Sequence, residues 1–182
     1  IPMPPTTVTE DIDAAVETIR RYEAAVLKPL YSTKARGMCV ITADHPDLRE
    51  AVAEFKGDGN PVMYIQRMLP SLEQDWGVAF LGGEYVATYA RVKTSSAWNT
   101  TTRDGGRYAA VVPEDPEVVE IARKAQAAFD MGFTTVDVVP TADGPQVFEV
   151  SAFGGFRGLK DAHGIDMAAQ YAEWMLKELG DG

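Results

Sequence analysis

Asp137 and Glu149 stand one apiece in two short runs rich in Val, Phe and Thr, residues 133–139 and 146–151. Such runs suit a pleated, half-buried surface. Asp143-Gly144, beside Pro140 and Pro145, marks a tight turn between them. With a three-residue loop and a left-handed Gly144, Asp137 falls opposite Glu149 and the two side chains share a face. Facing carboxylates repel and raise each other's pKa unless a cation lies between them. A hard divalent ion such as Mg²⁺ suits them, because it takes oxygen ligands and completes its shell with water and phosphate. Ser151 follows Glu149 at a spacing of two and adds a hydroxyl on the same side. The alternative is that both acids lie at strand ends in water.

A second group of residues points to phosphate. Residues 24–30, AAVLKPL, read as a short apolar strand carrying Lys28. An ammonium among apolar neighbours is costly unless it meets anions; the alternative is a lysine snorkelling to the surface. The next stretch, YSTKARG, holds Ser32, Thr33, Lys34, Arg36 and Gly37, and MCVIT at 38–42 resumes a strand. This predicts a hairpin with a hydroxylated, basic, glycine-ended tip, a flap able to fold over phosphates with N–H and cationic groups. It is not a P-loop, since G-x-x-x-x-G-K-[ST] is absent.

Composition sets the frame. The chain has 182 residues, 46% hydrophobic and 24% charged, which fits a globular protein of one domain or two small ones. A net charge of −10 argues against general binding to nucleic acid or anionic membranes, while leaving room for a local basic pocket. Cys39 is the only cysteine, so neither a disulfide framework nor a cysteine metal cage is available. No apolar run approaches roughly 20 residues and no signal peptide is visible, which makes the cytoplasm the expected compartment. The chain begins at Ile1 rather than Met and reads as part of a longer protein.

The remaining elements are those that must position these groups. Residues 1–9 read as an extended proline-rich linker, and Thr9 as the cap of a helix over 10–22. A second helix is expected over 46–56 and an almost wholly apolar, hence central, strand over 62–69. Pro70 and Ser71 open a break between two lobes, 1–69 and 70–182. Two strands from 74 to 92 flank Gly82-Gly83, with Asp75 opening the first and Arg91 and Lys93 closing the second. Residues 94–107 form a long polar loop. Asp115 and Pro116 start a helix reaching 130, with Val118, Ile121, Ala122, Ala125 and Phe129 as its stripe. Phe153 to Gly158, FGGFRG, reads as a glycine-rich loop that lets backbone approach a ligand. A last helix, to about Leu179, would turn Ile165, Ala168, Ala169, Ala172, Met175 and Leu179 to the core. His45 and His163 read as loop residues.

In order, IPMPPT, VLKPL with its flap, YIQRML, DWGVAFLGGEYVATYAR, TTRDGGR, TTVDVV and FEVSAFGGFRGL with GIDMA cover essentially the whole chain. This ordered set resembles the ATP-grasp superfamily and, within it, the RimK-like glutamate ligases. The resemblance implies an α+β fold: a small lobe at 1–69 with a phosphate flap and a large lobe at 70–182 with a Mg²⁺-binding hairpin, clamping ATP between them. It also implies a separate N-terminal domain in cis, which such ligases carry before these lobes and which the 182 residues lack.

By position, the resemblance makes Lys28 the contact to the α- and β-phosphates. Ser32, Thr33, Lys34, Arg36 and Gly37 become the closing flap. Gln66, Arg67, Met68 and Leu69 become the strand whose backbone reads the adenine edge, with Asp75 on the ribose side and Arg91 on the phosphate side. Asp137, Glu149 and Ser151 become the ligands of Mg²⁺, or of Mn²⁺ in its place. The chain departs from the pattern at Ser151, where asparagine is usual, and at Gly77, where the nearest ligases have arginine. Asn99 and Thr101 replace an arginine and an asparagine, and Lys34 and Arg36 replace glycine and neutral residues. The FGGFRGL stretch is similar to that of ligases adding glutamate to pterin or deazaflavin cofactors.

The implied reaction is ATP-dependent joining of a carboxylate to an amine, the amine being that of glutamate and the acceptor a cofactor or peptide. By charge and position, Arg157 is the candidate for holding a substrate carboxylate. The alternatives are a nucleotide-binding module without turnover and an ATP-grasp ligase for a different amine. The state of association is left open, a homo-oligomer included.

Overall fold

The computed structural model describes residues 1–33, 35–69, 73–93, 107–112 and 115–180. Two units form, Pro4–Pro70 and Ser71–Gly182, the latter taking in Ile1–Met3. Residues 1–3, expected with the first lobe, therefore go with the second unit, where the Val147 N–H donates to the Pro2 carbonyl at 2.9 Å.

In the unit Pro4–Pro70, strand β1 (Thr6–Thr9) is followed by helix α1 (Ile12–Tyr22), strands β2 (Ala24–Lys28) and β3 (Cys39–Thr42), helix α2 (Leu48–Gly57) and strand β4 (Met63–Arg67). The antiparallel sheet runs β1-β4-β2-β3. β4 is interior, as its apolar run predicts. β1 was expected as linker; its Thr-Thr-Val-Thr instead pairs with β4, Thr6 opposite Gln66, once the prolines end at Pro5. Asp11, not Thr9, caps α1: its side chain accepts the Ala14 N–H at 2.7 Å, and Thr9 accepts from the Asp11 N–H. Ala15, Val16 and Ile19 of α1 and Leu48, Val52 and Phe55 of α2 pack against Ala25, Leu27, Ile41, Met63 and Ile65, giving one face of the sheet its core.

The other unit begins with β5 (Gln74–Leu81) and β6 (Glu84–Val92), a hairpin closed by Gly82 and Gly83, both at positive φ. There follow β7 (Arg107–Ala110), α3 (Pro116–Gln126), β8 (Phe133–Thr141), β9 (Gly144–Ser151), α4 (Phe156–His163) and α5 (Met167–Gly180). The antiparallel order is β7-β6-β5-β8-β9. On one face α3 buries Val118, Ala122 and Ala125 against Val78, Phe80, Val136 and Val138. On the other, Leu159 of α4 and Met167 of α5 pack against Ala79, Ala87, Tyr89 and Phe133.

Three expectations change here. Asp115 caps α3 as read, accepting the Glu117 N–H at 2.9 Å, but the helix stops at Gln126 and leaves Phe129 exposed. The loop read over 153–158 continues from Phe156 as helix α4, ended by Gly164 in the left-handed conformation. On α5 the buried and half-buried residues are Met167, Tyr171, Trp174 and, as expected, Met175, and Ile165 just before the helix packs against the core as read, whereas Ala168, Ala169, Ala172 and Leu179 are exposed. Trp174 wins because its ring lies over Gly82 and Gly132, where no side chain competes for the space. Among the described residues no helix is long and apolar enough to cross a membrane.

Gly158 lies inside α4, where alanine is ordinarily favoured by about 1 kcal/mol. A Cβ there would fall 2.5 Å from the buried Tyr89 ring. Gly158→Ala is therefore expected to lower the thermal unfolding midpoint, the overlap costing about 1–3 kcal/mol; a rise would contradict this packing.

Candidate functional site

The β8–β9 hairpin brings Asp137 directly opposite Glu149. The route differs from the expected three-residue loop. The turn is the two residues Ala142-Asp143, with Gly144 at φ +99° opposite Thr141. Carried on unbroken, that register would set Phe148 against Asp137 and turn Glu149 to the α3 face. Phe148 is instead the extra residue of a β-bulge, since Val138 pairs with Val147 and Asp137 with Glu149. The bulge thus creates the carboxylate pair. Ser151 donates to Glu149 Oε1 at 3.2 Å, as its spacing of two predicts.

The same face extends across four strands, with Tyr89 opposite Gly77, Gly77 opposite Asp137 and Asp137 opposite Glu149. Beside this row Arg91 pairs with Asp75. Arg91 Nε donates to both oxygens of Asp75, at 3.0 and 3.2 Å, and its Nη2 reaches Asp75 Oδ2 at 2.6 Å and Asp137 Oδ2 at 2.8 Å. One guanidinium therefore bridges two largely buried carboxylates. Burial works against the arginine's charge, but Asp137 and Asp75 outweigh it and hold its pKa well above the ordinary value. For Asp137 burial dominates and pushes the pKa up to about 6; Arg91 opposes this, while Asp75 and Glu149 add to it. Even with Arg91 in contact, Asp137 remains short of positive charge.

Gly77, the position lacking an arginine, is covered by Tyr89. A Cβ at Gly77 would lie 2.5 Å from the ring and 2.7 Å from its hydroxyl oxygen. The same ring rests on Gly158 of α4. Burial pushes the Tyr89 phenol up to about 12, with Arg91 opposing, so it stays protonated and able to donate. Sequence reasoning missed Tyr89. Its signal was a spacing of two from Arg91 along β6, which puts both on one face.

In the unit Pro4–Pro70, Lys28 ends β2 and donates to Gln66 Oε1 at 2.7 Å. Gln66 is buried and Arg67 exposed. The Arg67 N–H donates to Pro5 and the Met68 N–H to Ala24, at 2.8 and 2.9 Å, and Leu69 follows half-buried. The flap folds on itself: Ser32 donates to the Arg36 carbonyl, the Arg36 N–H donates to the Thr33 carbonyl at 3.3 Å, and Gly37 sits at φ +71°. Lys34 lies outside the described residues, as do Asn99 and Thr101. Arg157 is on the first turn of α4, 79% exposed and paired with Asp161 at 3.0 Å. His163 ends α4 rather than lying in a loop, and its Nε2 bonds the Thr88 carbonyl oxygen at 2.8 Å. His45 accepts the Asp47 N–H.

The donor set on the hairpin is oxygen only and fits a hard divalent ion. Among the described residues no group of three or more His, Cys, Asp or Glu side chains is placed to hold a metal. An ion on Asp137 and Glu149 would therefore draw its other ligands from Ser151, water and phosphate, the manner in which Mg²⁺ is usually held. The Asp137 shift has a consequence for metal-free protein. Below pH about 4 the carboxyl is protonated in folded and unfolded chains alike, and the shift contributes nothing. Between about 4 and 6 the folded protein keeps a proton the unfolded chain releases, so stability falls as pH rises, by about 1–3 kcal/mol in full. Without metal, the unfolding free energy of Asp137→Asn relative to wild type is expected to improve by that amount from pH 4 to pH 7. A difference independent of pH in chemical denaturation would contradict it.

Residues 1–175 match the RimK-like ATP-grasp domain. The chain is 27% identical over 182 residues to a tetrahydromethanopterin:α-L-glutamate ligase of Methanocaldococcus jannaschii, covering 97% of this chain and 62% of that one. It is 24% identical over 176 residues to a ribosomal protein bS6–L-glutamate ligase of Salmonella paratyphi B, covering 96% and 58%. The chain thus spans about three-fifths of the length of these relatives. The crystal structure of the D-cycloserine synthetase DcsG superposes with a TM-score of 0.77 at 20% identity, over 98% of this chain and 66% of that one. The architecture of two α+β units is accordingly the ATP-grasp fold, and the chain belongs to the RimK-like ATP-grasp family.

Proposed function

We propose that the chain carries the nucleotide- and metal-binding machinery of an ATP-dependent carboxylate–amine ligase that adds glutamate to its acceptor. The observation that supports this most is the register of β8 and β9, which pairs Asp137 with Glu149 beside an arginine already bound to Asp137, in a chain of this family. Asp137 and Glu149, with Ser151, would hold Mg²⁺, or Mn²⁺ through the same oxygens. A bound ion there would neutralise charge on the ATP phosphates.

The chain's own groups do the positioning. Lys28 binds phosphate oxygens, and the flap residues Ser32, Thr33, Lys34, Arg36 and Gly37 close over them. With the Arg67 and Met68 N–H groups engaged by Pro5 and Ala24, an adenine contact from 66–69 falls to the Leu69 N–H or to carbonyl oxygens. Asp75, whose oxygens both receive Arg91, serves here to hold that arginine rather than a ribose. Arg91 aims at the charge developing on the transferred phosphoryl group. That group passes to an acceptor carboxylate oxygen as its bond to the β-phosphate oxygen breaks, giving ADP and an acyl phosphate. The neutral amine of glutamate attacks the acyl carbon, phosphate leaves with the C–O electron pair, and an amide forms as the nitrogen gives up a proton to the departing phosphate or to water. Arg157 would pair with a substrate carboxylate in exchange for Asp161.

Relatives of this chain are named for acceptors as different as a pterin and a ribosomal protein, so the acceptor class is the part to be measured. Phosphate release is expected only when ATP, Mg²⁺, glutamate and a carboxylate acceptor are all present, with the amide seen by mass spectrometry. Arg91→Gln should lower kcat by about a hundredfold or more, as loss of a contact to developing charge does. Mg²⁺-dependent ATP binding with no phosphate release across pterin and peptide acceptors would replace this reading with a binding module without turnover.

A further inference from the structure

Lys28 and Gln66 are 38 residues apart in sequence, and three hydrogen bonds join them to the start of the chain. β2 and β4 pair with Val26 opposite Gln66, which makes Lys28 a diagonal neighbour of Gln66 on the same face. β1 and β4 pair with Thr6 opposite Gln66. Lys28 Nζ donates to Gln66 Oε1 at 2.7 Å, Gln66 Nε2 donates to Thr6 Oγ1 at 3.2 Å, and Thr6 Oγ1 donates to the Pro4 carbonyl at 2.9 Å.

Every direction in this chain of bonds is forced. An ammonium has donors only, so the amide must turn its oxygen to Lys28. Its NH₂ then faces Thr6, and Thr6 must accept. The hydroxyl proton goes to a carbonyl, which has nothing to donate. The amide of Gln66, 2% exposed, is therefore held in one orientation from both sides. A lysine has four rotatable bonds, and ordering such a side chain costs conformational entropy; a fixed, neutral acceptor lowers that cost.

We propose that Gln66, through its side chain, is a positioning residue that aims Lys28, and that Thr6 sets the Gln66 amide. This rests on the reading of Lys28 as a phosphate ligand but adds to it: Gln66 acts through its amide, apart from any backbone contact to adenine, and β1 becomes part of the phosphate-binding apparatus.

The test uses Gln66→Met and Thr6→Val, measuring ADP affinity, the thermal unfolding midpoint and the acylation rate of each lysine by peptide mass spectrometry. Loss of a hydrogen bond to a charged group corresponds to about a tenfold change or more. Gln66→Met is expected to weaken ADP binding about tenfold and to raise the acylation rate of Lys28 severalfold, with Lys56 and Lys177 unchanged. Thr6→Val should shift both in the same direction by less, and it carries the test if Gln66→Met does not fold. Unchanged Lys28 acylation in a folded variant overturns the proposal, whatever happens to ADP affinity. Wild-type protein that does not bind ADP overturns the ligase reading, while the acylation rates still report whether Gln66 holds the amine.

Discussion

The bridge from Arg91 to Asp75 and Asp137 is the interaction on which the rest of the site depends. Three ionised groups stand together in a largely buried place, where charge is costly unless paired. With one cation against two carboxylates, and Glu149 opposite, the cluster keeps a negative excess. On the proposed reading, that excess accounts for both halves of the chemistry. It leaves a demand for a further cation, which a hard divalent ion would meet. It also fixes the guanidinium, held by Asp75 in a side-on pair, beside the place where that ion would bring phosphate. A lysine at position 91 would provide the charge but not the planar fork that engages two carboxylates at once.

Packing keeps this cluster in place. Tyr89 lies on β6 two residues from Arg91, with its ring over Gly77 and Gly158. Two strands and a helix are thereby joined through one ring, which leaves no room for a Cβ at position 77 or 158. The same arrangement brings α4, with Arg157 on its first turn, close against the sheet. Function and stability are linked here: the glycines that permit the close approach are the positions where a methyl group would displace the ring.

Much of this was legible from local signals. Gly82-Gly83, Asp143-Gly144 and Asp115-Pro116 announce two turns and a helix start through their backbone preferences, and the apolar run of β4 marks an interior strand. The facing of Asp137 and Glu149 was legible as residue types on the right strands. What escaped depends on residues distant in sequence. The bulge at Phe148 decides which face Glu149 takes, and nothing in VFEV marks it. The pairing of Asp75 with Arg91 requires the β5–β6 register, and the helix Phe156–His163 packs its Gly158 against the Tyr89 ring, distant in sequence. β1 was hidden because prolines precede it and because an edge strand gains its order from its neighbour. The inward face of α5 was misread because small residues match the helical period as well as the aromatic ones that in fact fill the space.

The central claim is that Asp137 and Glu149 hold a divalent ion jointly with nucleotide phosphates. Calorimetric titration of ADP with and without Mg²⁺, on the wild type and on Asp137→Asn with Glu149→Gln, tests it most directly. The account predicts tighter binding to the wild type when Mg²⁺ is present and no such gain in the double variant, which should still bind ADP through the groups on β2 and β4. Equal affinity in the wild type with and without Mg²⁺, or a gain that survives in the variant, would contradict it.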